Sequence, residues 1–149
     1  MTTTHDQSFI LELSQFEGAA AQAVIPGDIE AWTERAVESL DSLESVARHQ
    51  RRRREVHLGQ IVATNLGMSA RVEGLRRRET ELWERFMNIR DGLHDLRAKS
   101  QGPSGQGCCD QAEELRLASL GWVVDSRAEQ HEVDAWLLET LYRDNGIVD

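Results

Sequence analysis

The chain is short of the residues that punctuate or cross-link a fold. Among 149 residues there are two prolines, two cysteines, one tyrosine and three phenylalanines. With only Pro26 and Pro103, long stretches keep every backbone N–H available for helical hydrogen bonds, which argues against a turn-rich sandwich or barrel. Two cysteines cannot build a disulfide framework. No run of about 18 apolar residues occurs and no charged-then-apolar leader opens the chain, so neither a membrane span nor a signal peptide is expected. A glycine-rich phosphate loop, an HExxH pair and a Ser-His-Asp arrangement are also missing, which leaves hydrolase chemistry without carriers and predicts a protein that is not an enzyme. A net charge of −9 speaks against wholesale nucleic-acid binding. What is present is 40% hydrophobic and 29% charged residues, enough to fold around a core. The length suits one domain. These features describe a soluble, cytoplasmic, all-α protein.

Apolar spacing divides the chain into four helical segments. The first spans roughly Asp6 to Val24, with Phe9, Leu13, Phe16, Ala20 and Ala23 in register, and Pro26-Gly27 ends it. The second begins after Asp28 as N-cap, carries Trp32, Ala36, Leu40, Leu43 and Ala47, and runs into Arg51-Arg52-Arg53-Arg54, cations suited to the negative end of a helix dipole. Gly59 and Asn65-Leu66-Gly67 mark a break. The third runs from about Met68 or Ser69 to Lys99 on the stripe Val72, Leu75, Glu79, Leu82, Phe86, Ile89, Leu93 and Leu96. A loop over about 100–109 is flexible by composition. Asp110 and Glu113 have capping-box spacing, and the fourth helix runs to about Tyr142, stopped by Gly146, on Leu117, Leu120, Val124, Ala128, His131, Ala135, Leu138 and Tyr142. The expectation is an up-down-up-down four-helix bundle in one domain over 1–149.

Charge is unevenly placed. Residues 47–78 hold nine arginines against two carboxylates, while the flanking stretches are acidic. In an antiparallel bundle the end of helix two and the start of helix three share one pole, so Arg51, Arg52, Arg53, Arg54, Arg76, Arg77 and Arg78 form a positive cap on an acidic rod. The cap is either a solvated, dipole-matched end or a docking patch for an acidic partner or phosphate. Trp32, Trp83, Trp122 and Trp136 are core or flank residues, with Trp122 and Trp136 able to mark a contact surface for a homodimer. Cys108-Cys109, in the loop before helix four, reads as two exposed thiols or as a redox or metal-sensing pair.

Glu79 and His131 are the informative polar members of apolar stripes. A buried carboxylate is costly unless paired, protonated or bound to metal. The pair is either a hydrogen-bonded lock on helix register or part of a core metal site with Asp134, three residues after His131, and His49 as further ligands. Glu17 borders the stripe of helix one. His49 lies off the inward face of helix two, and Gln50 sits closer to it.

Several stretches resemble the hemerythrin-like, cation-binding family. They are Leu40-Asp41-Ser42-Leu43 leading to Ala47-Arg48-His49; Leu75-Arg76-Arg77-Arg78-Glu79-Thr80-Glu81-Leu82; and Leu137-Leu138-Glu139-Thr140-Leu141-Tyr142-Arg143-Asp144-Asn145-Gly146. Phe16-Glu17-Gly18-Ala19 through Pro26-Gly27-Asp28 and Trp32 resembles the opening of some bacterial members. The resemblance implies a four-helix bundle that holds two irons between histidines and bridging carboxylates and binds or senses oxygen. On this chain the family's helix-three histidine falls on Glu79, the helix-four histidine on Gln130 or His131, and the helix-two histidine on His49 or Gln50. The carboxylate that follows falls on Arg53 or Arg54, which cannot ligate iron. The resemblance therefore implies the scaffold with a degenerate centre, no cofactor, and a binding or regulatory module. The competing expectation is iron held by a carboxylate-rich site of Glu79, His131, Asp134 and His49.

Overall fold

In a computed structural model the backbone is described for residues 4–101 and 108–144, and side chains for 7–101 and 108–140. Tyr142, Gly146 and most of the loop predicted over 100–109 lie outside the described side chains or residues. Four helices follow one another: α1 Thr4–Ala21, α2 Ile29–Thr64, α3 Ser69–Ser100 and α4 Cys109–Asp144, with a 3₁₀ turn at Leu66–Met68 between α2 and α3. No strand occurs among the described residues, and no helix is long and apolar enough to cross a membrane.

The order of cross-helix contacts fixes the topology. Along α2 and α3, Glu34 meets Gln101, Asp41 meets His94 and Glu55 meets Arg76. Along α3 and α4, Asp95 meets Gln111, Arg85 meets Asp125 and Arg78 meets Glu132. Both pairs are antiparallel. Helix α1 closes the ring by packing on α2 and α4, with Glu17 and Ser14 bonded to Arg127. The product is the expected all-α, up-down-up-down four-helix bundle.

The stripes of the first three helices are buried, apart from Ala23, which lies past the end of α1 and is exposed, and Glu79 and Leu82, which are partly buried. Phe9, Leu13 and Phe16 of α1, Trp32, Ala36, Leu40, Leu43 and Ala47 of α2, and Phe86, Ile89, Leu93 and Leu96 of α3 enter one cluster with Trp122 and Val123. Within it Phe86 lies 4.9 Å from Trp122 and 5.2 Å from Trp83, centroid to centroid, and Trp122 Nε1 donates to Leu82 O at 2.9 Å. Trp122 is therefore a core residue. Trp136 packs against a second, smaller cluster of Leu58, Val72, Leu75 and Val133. Neither forms the exposed contact surface considered for a homodimer. At about 1.5 Å per residue, the 18 residues of α1 reach along half of the 36-residue α2 and α4. Among the described residues, none of α1 belongs to the smaller cluster.

Three local expectations are corrected. Helix α2 does not stop at the arginines or at Gly59. It continues to Thr64, where Asn65 N–H bonds Ile61 O and the Asn65 side chain accepts from Gly67 N–H. Burial of Leu58, with Ile61 and Val62 packed around it, offsets the ~1 kcal/mol that a glycine costs inside a helix. Cys109 opens α4, so Asp110 lies inside its first turn instead of at the N-cap, and Glu113 accepts from Arg116 instead of closing a capping box. Cys108 is buried and Cys109 half-buried, both as free thiols, so neither is a solvent-exposed group.

Candidate functional site

The structure does not bring the four expected metal ligands together. Glu79 points inward, its side chain 12% exposed. His49, His131 and Asp134 are exposed. The inward placement of His131 is corrected because α4 turns a different face to the core: Ala112, Ser119, Trp122, Val123, Ser126, Val133 and Thr140 are buried, while Leu117, Val124 and Leu138 are 54–62% exposed. Among the described residues no group of three or more His, Cys, Asp or Glu side chains is arranged to hold a metal ion.

The arginines are also displaced from the pole predicted for them. Because α2 runs on to Thr64, Arg51 to Arg54 sit in mid-helix, where Arg51 and Arg54 meet carboxylates instead of a helix end. Arg51 Nε donates to Glu79 at 3.3 Å. Arg76 grips Glu55 with two bonds of 2.6 and 3.1 Å, and Arg78 grips Glu132 with two of 2.6 and 2.7 Å. Arg52 and Arg77 are exposed.

Between the two apolar clusters lies a layer of polar side chains. Arg54 reaches from α2 to α4, donating through Nη1 to both carboxylate oxygens of Glu129 at 3.1 Å and through Nη2 to Gln130 Oε1 at 2.7 Å. Gln50 Nε2 donates to the same Gln130 oxygen at 2.7 Å, and Gln130 Nε2 donates to the Asp134 carboxylate. Arg54 and Glu129 are each 10% exposed. A cavity of about 50 Å³ opens among Gln50, Arg54, Glu79, Ser126, Glu129 and Gln130, room for one or two water molecules. Ser126 Oγ, buried there, has no protein partner. Burial pushes the Glu79 carboxyl above its ordinary range, and the attraction of Arg54 and Arg51 only partly opposes it.

Chemically this layer is closed. The Glu129 oxygens face a guanidinium, the amides bond each other, and the fixed positive charge of Arg54 opposes entry of a cation. Gln50, Arg54, Glu79 and Gln130, one of the two registers read from the sequence, are the residues that meet here; His49, Arg53 and His131 are not. Glu129 and Ser126 were missed. Their signal was the spacing Ser119, Trp122, Ser126, Glu129, Gln130 and Val133, a helical face too polar to stand out as a core stripe.

Comparison with family models, curated proteins and solved structures finds no match.

A second feature lies outside the layer, between α2 and α3. A cleft of about 460 Å³ is lined by Arg48, Arg51, Arg52 and Glu55 on α2 and by Arg76, Glu79 and Thr80 on α3. The α2 residues recur at steps of three and four, which puts them on one helix face. The guanidinium carbons of Arg48 and Arg51 sit 5.0 and 4.6 Å from the centroid of the Trp83 ring, within cation–π range.

Proposed function

We propose that the chain is a hemerythrin-like bundle in which a guanidinium, carboxylate and amide layer stands where the family holds its di-iron centre, and that it works as a non-enzymatic binding or regulatory module. The observation that carries this reading is Arg54: its side chain lies inside the bundle, bonded to Glu129 and Gln130. A cation entering there would have to displace a charge-assisted pair and then face the guanidinium. The expected histidine and carboxylate ligands are replaced by groups that satisfy each other. Two free thiols suit a reducing, cytoplasmic setting. Recognition then belongs to the outer surface of the bundle, where the arginines of α2 and α3 provide for an acidic partner or ligand.

Metal analysis of protein purified without a histidine tag, after incubation with ferrous iron under reducing conditions, tests the reading. The expected result is iron far below one per chain and no oxo-bridge absorption band. A retained pair of irons with that band would overturn it.

A further inference from the structure

We infer that the cleft between α2 and α3 binds a small phosphorylated ligand through the guanidinium groups of Arg48, Arg51, Arg52 and Arg76. The inference rests on the metal-free module reading only in placing recognition on the outside of the bundle.

Four guanidiniums and two carboxylates line this space. Among the described residues Arg48, Arg51 and Arg76 are each paired with a carboxylate and Arg52 is not, so the lining keeps a net positive charge that a bound anion offsets. The available donors match that role. Arg48 commits one Nη to Glu44, and Arg51 commits only its Nε to Glu79. Contact with Trp83 restrains both guanidiniums without using their N–H groups as hydrogen-bond donors. Arg52 has no bonded partner among the described residues and is exposed at the cleft. Arg76 is held by Glu55 across the cleft, which ties the two walls together. Planar guanidinium forks suit phosphate oxygens, with two short bonds per group.

Size and surroundings select a compact polyanion over an acidic protein segment. The volume, about 460 Å³, falls in the range of small-molecule sites. The positive stretch is short: Asp41 and Glu44 precede it along α2, and Glu55 closes it. An extended acidic chain lying along the helix would run from attraction into repulsion within two turns. A ligand with two adjacent phosphates satisfies the arginines and stays clear of those acids.

Inorganic pyrophosphate is the probe. Isothermal titration of the full chain at low ionic strength should show one site per chain, weakened by added salt. Arg52→Gln, at an exposed position without a partner, should keep the melting temperature and weaken binding about tenfold, as expected for losing a charge-assisted contact. Arg48→Gln/Arg52→Gln should weaken it further. Arg77→Gln removes the same charge from an exposed site outside the cleft and should change affinity less than about twofold. Absence of binding overturns the inference, and so does an Arg77→Gln loss equal to that of Arg52→Gln, which would mean diffuse attraction. The two readings fail separately: iron retention sinks the module reading whatever pyrophosphate does, and a metal-free chain that ignores pyrophosphate sinks only this one.

Discussion

Removing Arg54 should destabilise the bundle far more than removing any other arginine. Arg54→Ala leaves the Glu129 carboxylate, 10% exposed, without its cation and takes one donor from Gln130. Breaking one side of a buried pair costs about 3–5 kcal/mol, because the remaining charge stays desolvated. A domain of this size has about 5–15 kcal/mol in total, so the loss is a large share. At about 2–4 °C per kcal/mol, the melting temperature should fall by roughly 6–20 °C. Urea denaturation reads the free-energy loss and a thermal melt reads the temperature shift, both followed by circular dichroism at 222 nm. The double variant Arg54→Met/Glu129→Leu separates the pair from its burial. With no stranded charge it should recover most of the loss and can exceed the parent, since apolar replacements of buried pairs are often neutral or stabilising by about 1–4 kcal/mol. A cost below about 1 kcal/mol for Arg54→Ala would refute the reasoning, because it would place the pair among screened surface bridges.

Glu79 should depend on pH in the opposite sense to a typical salt-bridged acid. Burial raises its carboxyl in the folded state, so the native protein holds this proton more tightly than the unfolded chain, and stability falls as pH rises from the ordinary carboxylate range through the raised value. Glu79→Gln, which resembles the protonated form, should flatten that slope and be neutral or stabilising at pH 7 in urea titrations; a marked loss there would mean that the Arg51 contact outweighs burial. Gly59→Ala in α2 and Gly74→Ala in α3 should each add about 0.5–1 kcal/mol, since an added Cβ meets nothing within 4 Å at either site; unchanged midpoints would contradict this. Val124→Lys should change stability by less than about 0.5 kcal/mol, whereas Val123→Lys, at 0% exposure against 62%, should unfold the protein or cost several kcal/mol, and the reverse order would show that α4 presents another face.

Three helices of this bundle were legible in the sequence because their inner faces are almost purely apolar. Phe9, Leu13 and Phe16, then Trp32, Leu40 and Leu43, then Phe86, Leu93 and Leu96 recur at helical spacing and are buried. Helix α4 inverts the signal. Its inner face carries Ser119, Ser126, Gln130 and Thr140, while Leu117, Val124 and Leu138 face outward, so hydrophobic periodicity selects the exposed side and carries His131 with it. Glu79 was found because it interrupts a regular stripe. Its partners were not, because Arg51 and Arg54 belong to a charge run that suggests a helix end, and only the passage of α2 beyond Gly59 makes them mid-helix residues, of which Arg54 enters the interior. Gln50 and Gln130 were visible as positions but not as a bonded pair, since no pattern in a single helix records a contact 80 residues apart.

The polar layer also divides the molecule mechanically. On one side four helices share a large cluster; on the other, α2, α3 and α4 share Leu58, Val72, Leu75 and Val133. An apolar core spreads disturbance through continuous close packing, and a band of directional bonds interrupts that spread. The smaller end therefore has the makings of a separate cooperative unit, able to open and close while the larger one stays intact. Amide exchange near Leu58 and Val72 would then be governed by this partial opening, and exchange near Leu40 and Leu93 by global unfolding, so one chain would have two clocks set on either side of Arg54.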